Sequence, residues 1–149
     1  PGTRLQAVLE ADELCVLPEG HPLLAHAVLT PQHFAGQPFV SLSPDDRYRR
    51  LLDAVFEQAG VSRQLLWETH SAVSVCALVR EGLGVAIVNP LTALAMAGHG
   101  LQLRRFAVSV PYRVSLVQPL YRPASPLSAT FIDMLQQEAA SLQQSLAAL

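Results

Sequence analysis

The stretch LLWETHSAVSVCALVREGLGVAIVNP, Leu65 to Pro90, carries the alternation that decides the fold. Leu65–Thr69 reads as a strand. Ser71 is placed to cap a helix whose apolar residues Val75, Leu78 and Val79 lead to a stop at Gly82. Gly84-Val85-Ala86-Ile87-Val88 is continuously apolar, as a strand buried on both faces must be. Asn89 and Pro90 then form the cap and first-turn pair of a further helix, Leu91 to Ala97.

The same grammar extends outward in both directions. On the amino-terminal side, Glu13–Pro18 reads as a short buried strand, Gly20-His21-Pro22-Leu23 as a turn and Thr30-Pro31 as the opening of a short element. Pro38–Leu42 reads as another strand. Ser43-Pro44-Asp45-Asp46 supplies a cap, a proline and two acidic residues at a helix start, and Tyr48, Leu52, Val55, Phe56 and Ala59 give that helix one apolar face, closed by Gly60. On the carboxy-terminal side Gly100–Phe106 and Tyr112–Pro119 read as strands. Pro123 and Ser125 introduce a last helix with a stripe of Leu127, Phe131, Met134 and Leu135 and, more weakly, Leu142 and Leu146. Strands alternating with helices at this spacing predict an α/β layer with a largely parallel sheet.

Composition narrows what the chain does. Half of its 149 residues are hydrophobic, enough to fill the core of one domain or two small lobes. A net charge of −2, with ten arginines spread along the chain in nothing longer than an adjacent pair, provides no footprint for a polyanion. All ten basic residues are arginine, which excludes a P-loop lysine, a Schiff-base lysine and a pyridoxal enzyme within this chain. No apolar run is long enough to span a bilayer. Cys15 and Cys76 both lie in apolar stretches, and the expectation is buried, reduced thiols in a cytoplasmic protein. Pro1-Gly2-Thr3-Arg4 has neither an initiator methionine nor a signal-peptide core and reads as the start of a piece cut from a longer protein.

Catalytic and metal chemistry has no anchor. His21, His26, His33, His70 and His99 never fall at the spacing that puts two ligands on one helical face. Gly82-Leu83-Gly84 precedes a strand and lacks the third glycine of a dinucleotide fingerprint, and no serine occupies a nucleophile elbow. The expectation is therefore no catalytic residue, no metal and no cofactor. What remains is a place. Thr69, His70 and Ser71 lie where a strand ends and a helix begins, with first-turn N–H groups suited to an anion. Ser41, Ser43 and Asn89 stand at two more strand ends, where ligands collect in open α/β sheets. These six residues are the candidate site. The alternative, that Ser43, Ser71 and Asn89 act only as helix caps, stays open from local sequence. Asp45, Asp46, Arg47 and Arg49 read as a solvated helix face.

In order and spacing, ELCVLPEGHPL, PFVSL, WETHSAVSVCALVREGLGVAIVNP and VSLVQPLYRPASPLSATFIDML resemble the effector domain of LysR-type transcription regulators, from Glu13 to Leu135. SVCALVREGLGVAIVNPLTAL is most similar to regulators of lysine and opine metabolism. The resemblance implies a type 2 periplasmic-binding-protein-like fold: two α/β subdomains joined by crossing strands, with a small-molecule effector, amino-acid-like or anionic, in the cleft between them. It implies that residues 1–13 are the end of the first subdomain with a crossing segment, the latter placed at Glu13 to Val16. Residues 14–113 would be the second regulatory subdomain, and residues 114–149 the return to an incomplete first subdomain with the carboxy-terminal helix. It further implies effector contacts near Ser41 to Ser43 and at His70 and Ser71. His70 stands where the family often has a small hydroxyl residue, which argues against an oxyanion such as sulfate. DNA binding would reside in an amino-terminal helix-turn-helix that is absent here, no membrane is implied, and a homo-oligomer, as dimer, is expected. The strand from Val114 and the stripe Leu127–Leu135 would lack neighbours and favour self-association. The alternative is a solute-binding protein of a transporter, which shares the fold.

Overall fold

The structure, a computed structural model, describes residues 2–149. Its strands are β1 (Thr3–Asp12), β2 (Leu14–Pro18), β3 (Val28–Leu29), β4 (Pro38–Leu42), β5 (Gln64–Thr69), β6 (Ala86–Val88), β7 (Leu101–Phe106) and β8 (Pro111–Pro119). Its α-helices are α1 (Arg47–Gln58), α2 (Ala72–Arg80), α3 (Pro90–Met96) and α4 (Pro126–Ala147), with single 3-10 turns at Pro22–Ala25 and Pro31–Phe34. Contacts divide the chain into two units: residues 12–110, and residues 1–11 together with 111–149.

The larger unit is built on one sheet. Hydrogen-bonded strands run in the order β3-β7-β2-β6 and, separately, β4-β5. A parallel bridge between Phe39 and Val85 joins the two sets, with Val40 N–H donating to Val85 O at 2.9 Å and Val85 N–H to Pro38 O at 3.0 Å. Parallel pairing holds for β4 with β5 and for β3 with β7. β2, in the middle, runs antiparallel to both β6 and β7. The sheet is thus largely parallel with one reversed interior strand. Hydrophobic periodicity carries no information on strand direction, so this reversal had no signature in the sequence. Leu14 to Val16, expected within a crossing segment, lie in β2 inside this sheet.

Strand alternation divides the core. Cys15, Leu17, Phe39 and Ile87 project to the face covered by Leu52 and Phe56 of α1. There Phe34 sits edge-on to Phe39, Phe56 and Phe106 at 5.6–6.0 Å between centroids, and the Arg63 guanidinium lies 4.1 Å over the Phe56 ring. The intervening residues Leu14, Val16, Val40, Ala86 and Val88 are also buried, and α2 and α3 pack on these strands with Val75, Cys76, Val79 and Ala93. Both cysteines are buried and free.

Gly84 makes the β4–β6 junction possible. Its φ is +156°, and a Cβ there would stand 2.7 Å from Pro38 O, so only glycine lets the two backbones meet.

In the smaller unit β1 and β8 form a two-stranded antiparallel ribbon, tied by Arg4 to Gln118 at 2.9 Å and by Arg113 to Glu10 at 3.0 Å. β1 is an element that local sequence did not announce. α4 follows, capped by Ser125, whose Oγ accepts from Ser128 N–H at 3.1 Å. Its buried residues are Ala139 and Leu146, while Leu127, Phe131 and Met134 stand exposed. Leu146, the weaker end of the stripe, is therefore a buried position, whereas Leu127, Phe131 and Met134 face outward and Leu135 is half-buried.

Candidate functional site at one edge of the sheet

All carboxyl ends of β4, β5 and β6 reach the same edge of the larger unit, because these three strands run in one direction. Ser43 N–H donates to Thr69 O at 3.0 Å, which brings the end of β4 against the entry to α2. Register counted from the Phe39–Val85 bridge puts Asn89 level with Ser43. Five of the six expected site residues, Ser41, Ser43, Thr69, Ser71 and Asn89, thus have defined positions at or just inside this edge. Ser41 and Ser43 are buried, Thr69, Ser71 and Asn89 half-buried, and His70, the sixth, exposed.

Capping accounts for part of this set. Ser71 Oγ accepts from Ser74 N–H at 3.3 Å, and Thr69 Oγ1 accepts from Ser71 N–H at 3.4 Å. Asn89 Oδ1 accepts from Thr92 N–H at 2.9 Å. Ser43 does not cap α1. Asp46 does, accepting from Tyr48 N–H at 2.7 Å and Arg49 N–H at 3.2 Å. The Ser43 and Ser41 side chains are therefore not consumed as caps. At α2 the first-turn N–H groups of Ala72 and Val73 have no preceding helical carbonyl, and they point along the positive end of a nine-residue helix.

Two residues of this neighbourhood were missed from sequence. Arg49, expected on a solvated helix face, is buried at 6 % exposure. Its guanidinium donates to Leu42 O at 2.8 Å, pairs with Asp53 at 2.8 Å and approaches Glu68 at 3.4 Å, so it pins α1 to the ends of β4 and β5. Arg63 also pairs with Asp53. Arg49's partners come from three elements, which its own helix periodicity could not reveal.

The other is Glu13, at 2 % exposure. Because Leu14 pairs with Val88 in antiparallel register, Glu13 faces Asn89, and Ser43, Asn89 and Glu13 make one row across β4, β6 and β2. Its backbone N–H donates to Val110 O at 3.0 Å, but its Oε2 has no hydrogen-bond partner. Loss of water lifts the carboxyl from 4.5 to about 8, and the neighbouring Asp46 carboxylate adds to the rise. A glutamate directly before an apolar strand was the available signal.

The comparisons with known proteins converge on one family. The LysR substrate binding domain model matches residues 1–140. The chain belongs to that family. It is 51 % identical over 148 residues to the transcriptional activator protein LysR of Escherichia coli strain K12, covering 99 % of this chain and 48 % of that protein. It is 31 % identical over 131 residues to the regulatory protein NocR of Agrobacterium tumefaciens strain T37, covering 88 % and 44 %. The chain thus spans about half the length of these relatives. Among solved structures, the regulatory domain of CcmR from Synechocystis PCC6803 in complex with 2-PG matches at TM-score 0.73 and 15 % identity over 93 % of this chain and 67 % of that one. The effector binding domain of QuiR in complex with shikimate matches at 0.66 and 18 % over 95 % and 67 %. The fold is accordingly that of LysR-type regulatory domains, which are periplasmic-binding-protein-like. Among the described residues no helix is long and apolar enough to cross a membrane, and no cluster of His, Cys, Asp or Glu is suited to a metal.

Proposed function

We propose that this LysR-type effector domain senses a small amino-acid-like or anionic metabolite at the edge formed by Ser41, Ser43, Thr69, His70, Ser71 and Asn89, as one wall of the effector cleft that the family fold implies. The observation that carries this reading is the convergence of three strand ends with the start of α2, joined by the bond from Ser43 to Thr69. Polar side chains and first-turn N–H groups at such an edge bind and orient a carboxylate, and shikimate, the ligand in the QuiR structure, is one. In this reading the larger unit is the second regulatory subdomain. The ribbon of β1 and β8 with α4 belongs to the first.

Signal transmission follows as a population shift: a ligand that prefers one arrangement of the regulator favours it and so repositions DNA-binding segments carried elsewhere in the full protein. The chain itself has no catalytic role and acts in the cytoplasm, in keeping with two free buried thiols. The family model and the relatives are those of transcription regulators, which favours this reading over a transporter's solute-binding protein. We further propose that the chain self-associates through the apolar face of the smaller unit, where Val117, Leu120, Leu127, Phe131 and Met134 are exposed. Light scattering across a dilution series tests this, and a strictly monomeric protein refutes it.

The test of effector binding is a thermal-shift screen of amino acids, opines, diamines and carboxylates. A ligand at a hundred times its dissociation constant stabilises by about 2.7 kcal/mol. Binding that survives Ser43→Ala and Ser71→Ala unchanged would remove the site from this edge.

A further inference from the structure

The feature the effector reading leaves unexplained is Glu13. A carboxylate withdrawn from water is costly unless a donor or cation compensates it. Around Glu13 the compensation is missing. Its Oε2 is buried and unpartnered, and no arginine pairs with it: Arg49 and Arg63 are committed to Asp53. Asp46, the charged neighbour, is itself an acid, engaged with the two N–H groups of α1 that it caps. The next residue on the same face, Cys15, is wholly buried, and Glu13 raises its thiol pKa further. Yet Glu13 is not in the middle of the sheet. It immediately precedes β2, in one row with Asn89 and Ser43, at the edge where α2 begins.

We infer that Glu13 is the cation-binding group of this edge, so that the effector carries a protonated amino group alongside the acid received at the start of α2. This rests on the edge being the effector site and adds the chemical class: a zwitterion rather than a simple anion. Two complementary poles are then present, N–H groups of α2 for a carboxylate and a buried carboxylate for an ammonium. Strands lie about 4.8 Å apart and three such steps separate β5 from β2, so the effector that touches both poles is a long one, a diamino acid or an opine rather than a short α-amino acid. Burial raises Glu13 to about 8, which favours its protonated form at neutral pH. Arrival of the ammonium ionises it, and one proton passes to solvent for each ligand bound.

The experiment is calorimetry on the chain and on Glu13→Gln with matched pairs: L-α-amino acids, diamino acids and opines against the hydroxy acids of the same skeleton. The expected result is that an amino member binds at least tenfold tighter than its hydroxy partner, and that Glu13→Gln erases the gap while sparing the hydroxy acid. Heats measured in two buffers of different ionisation enthalpy should show a proton released by the wild type and none by the variant. The melting temperature of Glu13→Gln should not fall, because an uncompensated acid has been removed. Hydroxy acids binding as tightly as amino acids, or Glu13→Gln weakening both alike, would overturn the role of Glu13 and leave the effector edge standing. If no pair binds, or if binding ignores Ser43→Ala and Ser71→Ala, the edge and the inference fall together.

Discussion

The two units of this chain use apolar residues in opposite ways. In residues 12–110 the large side chains Phe34, Phe39, Phe56, Leu17 and Leu29 are sealed inside, with helices on both faces of the sheet. In the smaller unit β8 has no fully buried residue, and α4 leaves Leu127, Phe131 and Met134 at 61–79 % exposure. One region satisfies its own hydrophobic demand; the other presents an unmet one. Equal hydrophobicity in sequence therefore corresponds to unequal energetic weight, and that contrast can be broken experimentally.

The largest expected effect is Phe34→Ala, which empties the centre of the aromatic cluster and should cost about 3–5 kcal/mol in denaturant unfolding. If it cost no more than a surface change, the larger unit would not be the stable part. Gly84→Ala should follow, at about 3 kcal/mol, since its Cβ meets backbone rather than a movable side chain. Full stability in that variant would mean that β4 and β6 are not joined as described.

The third effect depends on pH. The Glu13 carboxyl is raised from 4.5 to about 8 in the fold, so the folded state holds a proton that the unfolded chain gives up. Its favourable contribution is complete below about pH 4.5 and is lost as pH climbs to about 8. Stability should thus decline across that window in the wild type, and Glu13→Gln should flatten the decline; parallel profiles would show that Glu13 is not buried as an acid. The smallest effect is Phe131→Ala, expected within about 0.5 kcal/mol for the isolated chain. A loss comparable with that of Phe34→Ala would erase the distinction between the units.

Legibility from sequence followed the range of the interactions. β4 and α2 were read almost to the residue because their signals are local: Pro38 opens the strand, and Ser71 caps the helix with its own Oγ. β1 was missed because its partner, β8, lies at the far end of the chain. Asp46 rather than Ser43 caps α1, a choice among neighbouring candidates that backbone geometry makes. At the edge, the six polar residues were legible as strand and helix termini. Glu13 was not, since its burial and its place beside Asn89 arise only when β2 pairs with β6.

The reversed strand has a consequence for how the protein is made. β2 leaves the ribosome before both its neighbours, Ala86–Val88 and Leu101–Phe106, which are translated roughly 70 to 90 residues later. At roughly 5–20 residues per second the ribosome keeps the sheet's central strand waiting for several seconds, with Cys15, Val16 and Leu17 unsheltered. Long-range pairing of this kind also slows folding once the chain is complete. β2 therefore closes only once β7 has been made. The interval before closure is when this chain is most open to chaperones and to faulty association.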